Sequence, residues 1–319
     1  MSRKKERDRE KIIDKIWDEI KKLNWAEINK QTQRYFKVAI IGEPSFHAEV
    51  KDWLATLKYD LANEKSFAIN ETLKEMSENT LDSLIFVNTN KISDQKNTIK
   101  KVDLCICEQS IRSKIIALNS DTYSSKNLYN NNFIYKILKN NEELSFALAY
   151  NFPVFRIPRS KESIQLTAIQ NTSWAIVTAS PNIVPGGHQV VTGPVEAIAD
   201  FAILTTNEIK LLFELVGLNG RRVNPLKCKT ELSILFSLAK TAEIVATNTT
   251  GKIPAGTGII LKGAIAYAFT MAIGDAILLY LTTDKKVSKQ FFEERIRMYK
   301  EEGKRIAREI FQKYKNKNA

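Results

Sequence analysis

The sequence predicts an α/β fold joined to an all-α one: a small open, mostly parallel sheet of Rossmann-like or P-loop-like type, followed by a hydrophobic helical bundle. Three observations predict it. Between residues 36 and 158, short apolar runs of strand length alternate with helical patterns, as expected of a sheet covered by helices on both faces. From about Thr167 to Thr283 the chain is apolar and is cut by Pro and Gly rather than by polar loops; Ser173–Val195 and Gly263–Gly274 carry no charged side chain. The net charge of +12 is segregated: residues 1–35 hold eleven Lys/Arg against seven Asp/Glu, residues 284–319 twelve against six, and the long middle is close to neutral.

These signals divide the 319 residues into an amphipathic basic helix (1–35), the α/β domain (36–158), a hydrophobic helical domain (159–283) and a basic C-terminal helix (284–319). In the first, Ile12, Ile13, Ile16, Ile20 and Leu23 recur at helical spacing beside Trp17. Phe36–Gly42 then reads as a buried strand running into a turn, and Ala48–Leu57 as the next helix. Leu84–Val87 and Val102–Cys107 are strands, with Ser66–Ile69 and Pro153–Ile157 as further candidates. Ser110–Leu118 and Phe133–Tyr150 are helical in pattern, and the Ser/Asn/Tyr-rich stretch Asp121–Asn132 reads as a mobile loop.

Arg156–Arg159 marks the join between the domains. Helices follow over Ser163–Thr178, Val195–Val216, Leu226–Thr247 and Ile259–Leu281, separated by breakers at Ala179–Gly187, Asn219–Pro225 and Lys252–Gly258. A last helix over Lys285–Tyr314 has Phe291, Phe292, Ile296, Tyr299, Ile306 and Ile310 as its buried stripe. Ser173–Val195 is long enough to cross a bilayer, but its prolines and glycines would leave backbone groups unpaired in lipid. Ile259–Leu281 is also long enough, but it carries Lys262 and Asp275, and a mid-membrane Asp costs about 2.5–3.5 kcal/mol. A closed helical bundle is therefore favoured over a multi-span protein.

The residues bound the chemistry. Three cysteines make no disulfide framework, and Cys105 and Cys107, in one predicted strand, are expected on opposite faces of it. With two histidines, a zinc site lacks ligands, so no metal is expected. The mixed-charge start Met1–Glu10 has no apolar core, unlike a secretory signal, and a reducing, cytoplasmic setting is inferred. Basic ends around an apolar body suit an anionic membrane surface or a protein partner, not nucleic acid, which calls for basic residues spread over a folded face.

Strand, Gly turn and helix at Phe36–Leu57 is how a nucleotide-binding domain begins, so the G-x-x-x-x-G-K-[ST] pattern applies there. Gly42 fits its first position, while His47, Ala48 and Glu49 replace the second Gly, the Lys and the Ser/Thr. His47 obstructs close approach of the backbone to phosphate, Ala48 cannot reach the phosphates, and Glu49 adds negative charge. Gly42, Glu43, Ser45 and His47 are thus the candidates for a degenerate phosphate turn, and no cofactor is expected. Ala246–Ile253 fails as a second P-loop, with Ala for the first Gly and Ile for the Ser/Thr. In the bundle, Asp200, Asn207, Lys262 and Asp275 are the polar candidates, and Asp200 and Asp275 are the acidic residues that least fit their surroundings. Those two read as a polar pair across facing helices or an ion or proton site, or as each paired with Asn207, Lys210, Lys262 or a helix end, which fixes bundle register. No catalytic cluster is found.

Four stretches carry a resemblance: Ser180–Pro185, Ala199–Leu212, Lys252–Gly258 and Ala264–Gly274. In order and spacing they resemble the YcjF-type hydrophobic helical domain of unknown function that is attached to many bacterial GTPases. The resemblance covers about Thr167 to Leu281. It implies a preceding P-loop GTPase-like domain, which here has lost its P-loop pattern, and it implies no settled biochemical activity. The function expected is that of a non-catalytic GTPase-like regulatory or scaffold protein. It would associate with a membrane or dock a partner through its helical domain, and homo-oligomers are compatible with this. The alternatives are an atypical nucleotide-binding switch and an integral membrane protein. The place expected is the cytoplasm or the inner face of its membrane, peripheral or integral.

Overall fold

The structure, a computed structural model, describes residues 23–57, 78–179, 194–238 and 257–318, with residues 78–79, 194–205, 257 and 317–318 described by their backbone. It contains an α/β unit, Ala26–Ser160 with Val216–Arg222, and a helical unit that includes Lys161–Leu215 and Val223–Ala319. The line between them falls inside the helix Pro153–Ala179. Residues 12–22, the strand candidate Ser66–Ile69 and the breakers over 180–187 and 252–256 lie outside the described residues.

The sheet of the α/β unit has four parallel strands, β1 (Val38–Ile41), β2 (Leu84–Val87), β3 (Leu104–Cys107) and β4 (Thr122–Tyr123), in the order β2-β1-β3-β4. β1 is central, with Val38 opposite Leu84 on one side and Leu104 on the other. All four β1 residues are buried, which explains its unbroken Val-Ala-Ile-Ile run: a strand covered on both faces cannot alternate. Around the sheet lie helices α1 (Trp25–Thr32), α2 (Pro44–Ala55), α3 (Lys96–Lys101), α4 (Arg112–Ile116), α5 (Asn131–Asn140) and α6 (Ser145–Asn151). Trp53 of α2 is fully buried against Phe133 and Phe155, with ring centroids 5.7 Å from each.

Four expectations change. Cys105 and Cys107 lie in one core cluster with Ala39, Ile41 and Val87, not on opposite faces, because residues two apart on a strand point the same way. Asp121–Asn132 contains the fourth strand: Cys105 N–H donates to Asp121 O, and the Asn119 side chain bonds Ile99 O, Val102 O and the Asp121 N–H. Side-chain bonds of this kind hold a polar segment that has little apolar periodicity. Pro153–Ile157 is the start of a helix, where a proline lacks only an N–H that has no helical partner. The Phe133–Tyr150 helix is broken at Asn141, whose amide donates to Tyr123 Oη and to Ile137 O.

Burial pushes the thiols of Cys105 and Cys107 up to about 12 and about 11. Because the thiolate is the reactive form, and Cys228 is buried as well, a thiol-specific disulfide reagent should label none of the three in the native protein and all three in denaturant. Rapid native labelling of Cys105 or Cys107 would show that the sheet core opens.

The helical unit is built on α7 (Pro153–Ala179, from Lys161 on), α8 (Pro194–Leu218, as far as Leu215), α9 (229–238), α10 (Thr257–Thr283) and α11 (Lys289–Asn318). α10 is apolar on every side, as a helix enclosed by others should be. Its stretch Gly258–Thr283 is long and apolar enough to cross a membrane; within it an 18-residue window has a mean hydropathy of 1.7, and 83% of that window is buried inside the protein. Glycines allow the enclosure. A Cβ at Gly274 would lie 2.5 Å from Ile164 Cγ2 of α7, and one at Gly303 of α11 would lie 2.7 Å from Ala264 O of α10. Gly274 meets Ile164 and Gly263 meets Ile176, while Ala264 meets Gly303 and Gly263 meets Ala307, so α10 runs antiparallel to both α7 and α11. Asp284, in the left-handed region at φ 54°, ends α10, its N–H bonded to Tyr280 O at 2.8 Å.

Candidate functional site

Two places collect the polar residues of interest, one in each unit. In the α/β unit it is the C-terminal edge of the sheet at β1 and β3, where an open doubly wound sheet offers a crevice to ligands. α2 starts at Pro44, so only Gly42 and Glu43 separate β1 from its helix. A P-loop needs a longer excursion so that successive N–H groups can surround phosphate. Here Pro44 contributes no N–H, and the Glu43 N–H donates to Glu108 Oε1 at 2.7 Å. Glu108 follows β3, and its own N–H bonds Ile41 O at 3.1 Å, which holds the carboxylate in place. A carboxylate of the chain thus occupies the helix end that would attract a phosphate.

The surroundings support this closure. The Thr89 hydroxyl donates to the Glu43 carboxylate, so a second negative charge is held at the same edge. A Cβ at Gly42 would lie 2.6 Å from Phe46 Cδ1 and 2.7 Å from Glu108 Oε1, so a side chain there would displace the Phe46 ring or the Glu108 carboxylate. His47 Nε2 donates to Val87 O at 3.2 Å and its ring lies 5.3 Å from that of Phe86. Ser45 is exposed in the first turn of α2. Of the four sequence candidates, Gly42, Glu43 and His47 are brought together with Glu108 and Thr89, which sequence reasoning missed. An acidic residue directly after an apolar strand was the available signal for Glu108.

In the helical unit the centre is Asp275, fully buried on α10. Lys161 Nζ of α7 lies 2.6 Å from Oδ1, Tyr299 Oη of α11 donates to Oδ2 at 2.6 Å, and Arg295 Nε lies 3.6 Å from Oδ2. Arg295 is itself 4% exposed. The partners are therefore not Asn207, Lys210 or Lys262. Asn207 of α8 donates to Asn171 Oδ1 at 2.7 Å, and Asn171 donates to Thr270 Oγ1 at 2.9 Å, tying α8, α7 and α10 together. Lys262 is exposed, with its Nζ 3.4 Å from Thr178 Oγ1. Lys210 faces Glu214 at 3.8 Å on the surface of α8. Asp200 lies on α8, and its side chain is outside the described residues. Lys161 and Arg295 were missed because charged residues were read as solvated. Their spacing placed them inside, since Lys161 precedes the buried Ile164 by one turn and Arg295 lies between Phe291 and Tyr299.

Burial alone raises the Glu208 carboxyl of α8 from its ordinary 4.5 to about 8. The folded chain then holds a proton that the unfolded chain releases, so this contribution to stability is complete below pH 4.5 and is lost as pH rises through about 8. Glu208→Gln should be the more stable protein at pH 8 and show a flatter pH profile in urea unfolding; identical profiles would place the carboxyl in water.

No group of three or more His, Cys, Asp or Glu that could hold a metal occurs among the described residues. Comparison of the chain with protein-family models, with curated proteins and with solved structures finds no match.

Proposed function

We propose that the chain is a non-catalytic, GTPase-like scaffold, a pseudo-GTPase that works by docking and not by nucleotide turnover. One observation carries the reading: the Glu108 carboxylate accepts the Glu43 N–H at the head of α2. A nucleotide phosphate arriving there would meet two carboxylates, a proline in place of a donor and a side chain at His47 where the P-loop pattern has glycine. The ion cluster at Asp275 supports a structural role for the bundle centre, because each charge there has an opposite partner across a helix interface. Three free, buried thiols accord with a cytoplasmic place, in solution or on the inner face of a membrane.

Calorimetric titration of the full chain with GTP, GDP and ATP, each with magnesium, tests the reading. No heat of binding and no change in melting temperature are expected at millimolar ligand. Saturable binding of any of the three would overturn it in favour of the nucleotide-switch alternative.

A further inference from the structure

One end of the helical unit combines exposed apolar side chains with an excess of Lys and Arg over Asp and Glu on α11. Gly263 of α10 packs against Ile176 of α7 and Ala307 of α11, so the last turns of α7, the first turns of α10 and the second half of α11 meet there. Their inner side is a core of Ile176, Ile259, Ala264 and Ala307. Their outer side differs. Trp174 and Val177 are 37% and 43% exposed. The exposed Lys262 places its ammonium 3.4 Å from the hydroxyl of Thr178, which in turn donates to Trp174 O, so the cation lies beside the indole's own helical turn. On α11, residues 300–318 carry seven Lys/Arg against three Asp/Glu. Lys304 and Arg305 face acids of their own helix and the exposed Arg308 acts on Glu301, whereas Lys313 is exposed with no acidic partner among the described residues. Lys315 lies 5.4 Å over the Phe311 ring.

We propose that this end of the helical unit is a peripheral docking surface for an anionic lipid bilayer. The proposal rests on the docking reading above and names its occupant. An indole and a valine beside the Lys262 ammonium, at the end where the basic half of α11 also lies, match the two layers of a membrane interface: the apolar groups enter the boundary between headgroups and acyl chains, and the ammonium and guanidinium groups lie against lipid phosphates. An acidic protein would use the cations and leave Trp174 and Val177 unsatisfied. Because α10 is enclosed by its neighbours, attachment does not require it to insert.

The test is co-sedimentation of the full chain with vesicles of phosphatidylcholine, alone and with about 30 mol% phosphatidylglycerol, in about 0.1 M and about 0.5 M NaCl. Binding to the anionic vesicles only, and release by the higher salt, is expected. Arg308→Gln with Lys315→Gln should lower partitioning by about tenfold or more. Trp174→Gln should lower it severalfold and leave the salt dependence in place. Lys100→Gln with Lys101→Gln, which removes the same charge from the α/β unit, should change nothing. Unchanged melting curves establish that the variants fold. Equal binding to neutral vesicles, no binding to either, capture by polyglutamate in place of vesicles, or equal losses in the control overturn the proposal. None of these outcomes touches the nucleotide titration, on which the scaffold reading stands or falls separately.

Discussion

Asp275→Ala should lower the stability of the helical unit by about 3–5 kcal/mol, because it leaves buried cations without their counter-ion. Arg295 is 4% exposed and Lys161 has 28% of its side chain exposed, so Arg295 suffers more. Urea unfolding followed by circular dichroism measures the loss as a lower midpoint at unchanged slope. The complementary experiment separates charge from fold. Lys161→Met, Asp275→Leu and Arg295→Met made together replace the cluster with apolar groups of similar size, and most of the loss should return. A single Asp275→Ala variant that unfolds at the wild-type midpoint would mean that water reaches the cluster. Tyr299→Phe removes one 2.6 Å hydrogen bond to a charge and should cost about 1.5–3 kcal/mol.

Gly303→Val should destabilise at the upper end of the usual overpacking range, about 1–3 kcal/mol. A Cβ at this position would lie 2.7 Å from Ala264 O and 3.3 Å from Ala264 Cα, and these are backbone atoms of α10 that cannot rotate away. Helix propensity works in the opposite direction, since glycine inside a helix is disfavoured by about 1 kcal/mol relative to alanine. Gly303→Ala is therefore a sharp test: destabilisation despite better propensity shows that contact with α10 governs the position. Gly274 provides the comparison. Its close neighbours are the Cγ2, Cγ1 and Cδ1 atoms of Ile164, a side chain that a second substitution can shorten. Ile164→Ala should rescue Gly274→Ala, whereas no side-chain substitution on α10 should rescue Gly303→Val. Stability of Gly303→Val equal to wild type would show that α11 packs on α10 less closely than this.

Glycine, proline and apolar runs made the α/β character, the long helices and the enclosed α10 legible in the sequence. Val38–Ile41 and Leu104–Cys107 are all buried, and four-residue apolar runs announce such strands. β4 was not legible, because a two-residue strand has no period and is held by the side chain of Asn119. The break at Asn141 was hidden for a similar reason: its amide reaches Tyr123, eighteen positions earlier in the chain. At the candidate phosphate turn, the missing P-loop residues could be read directly, while the carboxylate that closes the turn lies 65 positions away in Glu108.

Which segments would be buried and which motif residues were missing could be read along the chain, because burial follows local hydrophobic period and a lost motif is a local fact. The partners of the buried charges came from packing alone. Asp275 could have paired with any cation on a facing helix. The choice of Lys161 and Arg295 depends on the antiparallel register of α7, α10 and α11, which close glycine contacts set and no local pattern encodes.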